Sequence, residues 1–209
     1  MKYAVIDTET SGLFDFSKPA DAEGQPRLAH LSMILLEEDE SEHFVDFLVK
    51  PDGWEIGEEA AAINGLTMEH LNEHGVPVAD VLARYVEAID AGYIMIAFNA
   101  QFDLKMMRGE LRRAGIDDRF EVTPNICIMR ASTDVVCVPK KAGKGYKFPK
   151  LSEACTFFEI TNEGEHTADG DARAALQIFR KLRELGKLPE PNVFFAKTAP
   201  EGKTEAAVA

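Results

Sequence analysis

An aspartate and a glutamate two positions apart, Asp7 and Glu9, close the apolar part of the segment YAVIDTETSGL at residues 3–13. Tyr3, Ala4, Val5 and Ile6 before them are apolar enough for a strand buried on both faces. If that strand runs through Glu9, the side-chain period of two turns Asp7 and Glu9 to one face. Two carboxylates side by side at the edge of an apolar core repel each other and resist ionisation. A hard divalent cation is the usual remedy, and a solvated acidic loop is the plainer alternative.

A third acid stands in AFNAQFDLKMMRGEL. On a helix Asp103 shares the apolar side of Met106 and Met107, while Lys105, Arg108 and Arg112 take the other face. An aspartate turned towards a core is costly unless paired, whereas one in a first helical turn is stabilised by the backbone dipole. Spacing alone leaves both readings open. Asn99 is read as the N-cap of this helix. In EHTADGDARAALQIFRKL, Ala168, Ala172, Ala175, Phe179 and Leu182 mark the buried stripe of a later helix. Asp171 lies beside that stripe and is a ligand candidate. Asp169 lies towards Arg173, Gln177 and Arg180, and a solvated pair with Arg173 is expected. His166 stands in a polar stretch ahead of the helix and by itself reads as a surface residue.

The elements that must position these groups follow from periodicity. Residues 28–37 and 43–49 are apolar runs split by EEDESE and predict an antiparallel hairpin joined to the first strand, with His30 and His43 in structural roles. Residues 57–74 predict short helices broken at Asn64-Gly65, residues 78–91 a helix, 93–98 a strand and 100–115 a helix. An apolar run at 126–129 leads into a polar turn and a Val-rich strand or extended piece ending at Val138; residues 151–158 predict a short helix. Strands followed by alternating strand and helix give a mixed sheet flanked by helices. Residues 14–27, rich in Pro, Gly and charge, form a loop beyond the acidic strand end, either a tolerated surface insertion or a flap.

A chain of 209 residues with a hydrophobic fraction of 45% suits one domain with a short tail. No run is long and apolar enough to span a bilayer, and Met1 leads into the first strand without a signal-peptide pattern; a cytoplasmic protein with no membrane partner is the expectation. Cys127, Cys137 and Cys155 are odd in number and lack metal-ligand spacing, so reduced, mostly buried thiols are expected. A net charge of −13 argues against gripping long duplex nucleic acid. The basic exception is PKKAGKGYKFPK at 139–150, whose five lysines interleaved with Tyr146 and Phe148 suit either phosphate and base contacts or a solvated loop.

The order of the motifs, a strand with Asp-x-Glu, a helix start with Asn-x-x-x-Asp and a late helix with His-x-x-x-x-Asp, resembles the DEDDh branch of the DnaQ-like 3′-5′ exonucleases over residues 3–185. The resemblance implies an α/β, ribonuclease H-like fold with a mixed central β-sheet flanked by α-helices. It implies an exonuclease domain over 1–188 and a C-terminal tail over 189–209, partly disordered, in which Val193, Phe194 and Phe195 pack on the domain or dock on a partner. Asp7, Glu9, Asp103 and Asp171 would then be the carboxylates for two divalent metal ions, Mg²⁺ or Mn²⁺, with Asp7 bridging them and His166 as general base. Thr8, Thr10, Gly12, Leu13, Asn99 and Phe102 would contact substrate. The activity implied is hydrolysis of phosphodiester bonds at the 3′ end of single-stranded DNA or RNA, releasing nucleoside 5′-monophosphates. The alternatives are a non-hydrolytic nucleic-acid or polymerase-binding module, or a proofreading subunit active only with a DNA polymerase or other replication partner. Two departures from the family pattern bear on substrate contacts: Phe98 stands where a histidine is frequent, and the 14–27 loop is long.

Overall fold

Alternation along one buried strand divides the molecule into two layers. The computed structural model describes residues 1–119 and 122–193. In β1 (Tyr3–Thr10), Ala4, Val5 and Ile6 are all fully buried, and only a strand covered on both faces hides consecutive side chains. Ala4 and Ile6 enter one hydrophobic cluster and Val5 the other. Asp7 and Glu9 therefore share the Val5 side, and Thr8 turns to the Ile6 side.

β1 pairs antiparallel with β2 (Leu28–Leu36), which pairs antiparallel with β3 (Glu42–Leu48). On its other edge β1 pairs parallel with β4 (Ile94–Ala97), and β4 pairs parallel with β5 (Asn125–Cys127). The order among the described residues is β3-β2-β1-β4-β5, the mixed sheet that the sequence predicts. His30 holds Asp46 across β2 and β3 at 2.8 Å, in keeping with a structural role. Beyond β5, Asn192 exchanges two backbone hydrogen bonds of 2.9 Å with Asn125, tying the start of the expected tail to the sheet edge. Phe194, Phe195 and the remainder of that tail lie outside the described residues.

Between β3 and β4 the chain forms α1 (Glu58–Asn64), α2 (Met68–His74) and α3 (Val78–Asp90). α3 and α4 (Ala100–Arg113) cover the Ile6 side through Val81, Leu82, Tyr85, Leu104, Met106 and Met107. The Val5 side is covered by α5 (Ile128–Val136), α6 (Leu151–Phe158) and α7 (Ala168–Glu184), with Phe179 fully buried at its centre. No described helix is long and apolar enough to cross a membrane. Cys127, Cys137 and Cys155 are free thiols, two of them buried.

One element corrects the sequence expectation. Residues 128–136 form α5 rather than a polar turn and a Val-rich strand. Val135 and Val136 pack on the second cluster at helical spacing from buried Ile128 and Ser132. Their β-propensity of a few tenths of a kcal/mol yields to that burial.

The 14–27 loop is bonded internally and seated on α4. Gln25 is buried inside it, donating to the carbonyls of Asp15 (2.8 Å) and Pro19 (2.9 Å) and accepting from the Asp15 N–H (3.0 Å). Arg113 donates to the Ala20 carbonyl at 3.2 Å, and Gly109 on α4 lies under the same carbonyl. A methyl group at 109 would come within 2.7 Å of the Ala20 oxygen, closer than any real side chain sits. Gly109→Ala gains helix propensity but should still destabilise the fold by about 1–3 kcal/mol through this clash. Chemical denaturation checks it, and an unchanged or higher midpoint would mean that the loop is not seated on α4.

Candidate active site

The end of β1, the start of α4 and the start of α7 meet at one cleft of about 210 Å³. Asp7 and Glu9 enter it from the strand, Asp103 from the first turn of α4, and Asp171 from the first turn of α7. Phe98, Asn99, Phe102, Leu151 and His166 complete the wall together with Thr8. One carboxylate oxygen each from Asp7, Glu9 and Asp171 lies within 4.8 Å of the others.

Each acid is held differently. Thr8, turned towards α4, donates both its N–H (3.0 Å) and its hydroxyl (2.8 Å) to one oxygen of Asp103, which is 4% exposed. The strand alternation that sends Asp7 and Glu9 to one layer thus sends Thr8 to fix the carboxylate of the other. Asp171 accepts 2.7 Å from the Asn162 amide. Asn162 lies in the loop before α7, where sequence reasoning did not look, because a polar residue in a polar loop carries no periodic signal.

That loop is pressed onto α7. A methyl at Gly170 would fall 2.2 Å from the Gly164 carbonyl oxygen, so only glycine permits the approach. Thr167 caps α7 by accepting from the Gly170 N–H at 3.3 Å, and its own N–H donates to Gly164 at 2.9 Å. His166, directly before the cap, adopts a left-handed conformation (φ 67°) and reaches the cleft while remaining exposed. Asp169 does not form the expected pair. Its carboxylate lies 2.9 Å from the Thr167 hydroxyl, and Arg173 stacks over Phe44 at 4.5 Å. Asn99 occupies the N-cap position of α4, but its side chain makes no capping bond; it faces the cleft instead.

The electrostatics are those of an uncompensated acidic cluster. Burial, then repulsion from Asp103, Asp171 and Glu9, pushes the Asp7 carboxyl well above its ordinary range. Burial and then Asp171 push Glu9 up to about 7, against the Asn64 side chain and His30. Burial raises Asp103 despite its two bonds from Thr8, and raises Asp171 despite Asn162 and the nearby His166. Among the described residues no lysine or arginine lines the cleft. Four carboxylates with no cation beside them fit a hard, oxygen-seeking divalent ion, and Asp7, Glu9 and Asp171 are the residues spaced to hold one.

A second, more apolar pocket of about 240 Å³ adjoins the cleft through Thr8, Glu9 and Phe102. Thr10, Gly12 and Leu13 line it, as does one side of α1 through Glu59, Ala60, Ile63 and Asn64. Leu13 and Ile63 are 84% and 62% exposed, so both aliphatic side chains stand open to solvent beside the cleft. The Thr10 hydroxyl donates to the Gly12 carbonyl at 2.6 Å, fixing the turn after the strand, so the hydroxyls of Thr8 and Thr10 are both bonded within the protein. The contribution of α1 was not legible in the sequence, where Asn64-Gly65 signals only a helix break.

A family model described as Exonuclease (RNase T) matches residues 4–179. The 3′-5′ exonuclease DinG of Bacillus subtilis is 24% identical over 193 residues, covering 92% of this chain and 19% of DinG. DNA polymerase III PolC-type of Caldanaerobacter subterraneus subsp. tengcongensis is 24% identical over 189 residues, covering 88% of this chain and 12% of PolC. E. coli Exonuclease I in complex with a dT13 oligonucleotide shares the fold, with a TM-score of 0.70 and 18% identity over 87% of this chain and 41% of that one. The chain thus spans less than half the length of each of these proteins. The shared fold bears out the expected ribonuclease H-like architecture.

The raised carboxylates give a stability test with a definite sign. A carboxyl whose folded pKa lies above its unfolded value stabilises below the unfolded value and loses that contribution as pH rises through the folded one, here towards about 7 for Glu9. Without divalent cation, Asp7→Asn should therefore raise the melting temperature at pH 8 by about 3 °C or more, and the gain should shrink towards pH 5. Mn²⁺ should raise the wild-type melting temperature at pH 8 and leave the variant's nearly fixed. Calorimetry reads both, and a wild type indifferent to Mn²⁺ would remove the cation from the site.

Proposed function

The chain belongs to the RNase T family of exonucleases, and on that premise we propose that it removes nucleoside 5′-monophosphates one at a time from the 3′ end of a single strand. The observation that carries this reading is the meeting of Asp7, Glu9 and Asp171 oxygens within 4.8 Å at a cleft that His166 also borders.

Asp7, Glu9, Asp103 and Asp171 would hold two divalent ions, Mg²⁺ or Mn²⁺. Such ions, when bound, supply acidified water and offset the charge on the attacking and leaving oxygens. The rest falls to the chain's own residues. Thr8 keeps the Asp103 carboxylate facing the cleft, and Asn162 does so for Asp171. The His166 imidazole takes a proton from the attacking water as that water adds to phosphorus. The bond from phosphorus to the 3′ oxygen breaks, the leaving oxygen takes a proton from solvent water, and the shortened strand ends in a 3′-hydroxyl. The exposed ring of His166 suits this role, since the proton must pass on to solvent after each turnover.

The adjoining apolar pocket suits the terminal base and sugar. Phe102 offers a flat aromatic face and Leu13 and Ile63 offer aliphatic contact, and none of the three reads a base edge. A site of this kind tolerates any base. The oligonucleotide in the Exonuclease I structure is a single strand of DNA, which supports a single-stranded substrate here. The similarity to PolC supports a second reading, in which the chain proofreads beside a polymerase; copurification with a polymerase and a higher rate in its presence would favour it.

A 5′-labelled single strand incubated with Mg²⁺ or Mn²⁺ should give a ladder of products shortened from the 3′ end, together with free monophosphates. His166→Ala should lower kcat by about 10²–10⁴-fold. Asp7→Ala should abolish turnover. Full activity of either variant, or of the wild type with the metal chelated, would refute the assignment. Glu9→Gln and Asp103→Asn should each lose activity while keeping the circular dichroism spectrum of the wild type.

A further inference from the structure

The one strongly basic stretch of this acidic chain runs directly into Leu151 of the cleft wall. Residues 139–150 carry five lysines and no acid, in a protein whose net charge is −13. They are folded: Pro139 pairs with Tyr146, the Lys140 N–H donates to the Gly145 carbonyl (3.2 Å), and the Lys147 N–H donates to the Val138 carbonyl (2.9 Å). Gly143 and Gly145 take left-handed φ of 83° and 91° at the tip, as a tight reversal requires. Lys147 is neutralised by Glu153. Lys140, Lys141 and Lys144 have no ion-pair partner among the described residues, and all three are exposed.

Two aromatic rings stand beside these charges. Tyr146 and Phe148 are 45% and 51% exposed, and a guanidinium, that of Arg130, lies over the Phe148 ring at 5.2 Å. Both ends of this stack are fastened to the cleft wall. Leu151, three residues after Phe148, lines the cleft, so the two lie within about 10 Å along the chain. Arg130 follows Met129, whose N–H donates at 2.8 Å to the carbonyl of Phe98, another wall residue.

We propose that this hairpin is a strand-binding platform, on which the single-stranded polynucleotide running upstream from the 3′ end lays its phosphates along Lys140, Lys141 and Lys144 and stacks a base on Phe148. The proposal rests on the exonuclease reading for the identity of the strand. Elsewhere the surface is dominated by carboxylates that repel phosphates, so the hairpin sets which way the strand leaves the cleft. Stacking on an aromatic face is indifferent to base identity, as removal of successive nucleotides requires. Phosphate contacts and stacking are common to DNA and RNA, so the platform takes either.

The test compares the wild type, a Lys140→Ala/Lys141→Ala/Lys144→Ala variant and Phe148→Ala on a dinucleotide and on a single strand of about twelve nucleotides, as DNA and as RNA. In each variant, the ratio of kcat/KM for the long strand to that for the dinucleotide should fall about tenfold. Loss of three phosphate contacts should also flatten the salt dependence of long-strand binding by about 2 in log–log slope. An unchanged ratio and slope would overturn the platform even if the enzyme is a nuclease. Binding of the labelled long strand, followed by fluorescence anisotropy with metal chelated, reports on the hairpin without catalysis. If the wild type cleaves nothing, the exonuclease reading fails alone: weaker binding by the variants still supports the platform, and equal binding overturns it. A loss for only one nucleic acid assigns the platform's substrate.

Discussion

Everything about the cleft depends on how negative charge is held at the end of a buried strand. The apolar run of Ala4, Val5 and Ile6 requires cover on both faces, and Asp7 and Glu9 continue the same strand out of that cover. Burial raises both carboxyls; repulsion from Asp103, Asp171 and Glu9 adds to it on Asp7, and repulsion from Asp171 and Asp103 on Glu9. The fold brings four acids together and supplies no lysine or arginine from the cleft wall to offset them. Such an arrangement is unfavourable by itself, and a divalent cation, if bound there, would offset it. A cost of this kind at a cleft is the mark of a site shaped by chemistry rather than by stability.

The surrounding structure is organised to keep those acids in place. Strand alternation assigns the carboxylate pair to the layer of α7 and Thr8 to the layer of α4, where it holds Asp103 with two hydrogen bonds. Glycine provides the close contacts that set the layers. Gly109 lets the 14–27 loop settle on α4, and Gly170 lets the His166 loop settle on α7. The 14–27 loop, in turn, buries Phe14 against Phe102 in an edge-on pair at 5.5 Å, which fixes one wall of the cleft. Packing some distance from the acids thus determines the shape of the space beside them.

Charge is distributed with the same economy. The acidic surface discourages long, phosphate-dense duplexes, while the hairpin at 139–150, which leads into Leu151 of the cleft wall, concentrates positive charge and exposed rings. An apolar pocket adjoins the cleft, formed by the turn after β1 and one side of α1. A single strand with its end in the pocket and its upstream part on the hairpin would use both surfaces.

The sequence alone determined the elements whose periodicity is strong: the central strand, the hairpin after it, α3, α4 and α7 are all legible, because burial on a defined face dictates residue type at a fixed period. It also marked Asp7, Glu9 and Asp171 as candidate ligands, while spacing left Asp103 open and only the order of the three motifs, through the family resemblance, added it to the set. α5 was misread because the β-propensity of Val135 and Val136 is weaker than the packing that makes them helical. The Asp169–Arg173 pair was misread because spacing cannot see Phe44, which comes from a distant strand and takes the guanidinium. Only the tertiary structure brought Thr8 to Asp103, Asn162 to Asp171, and α1 to the turn after β1. Those contacts join residues up to ninety-five positions apart, and no local pattern encodes a distance that the folded chain alone closes.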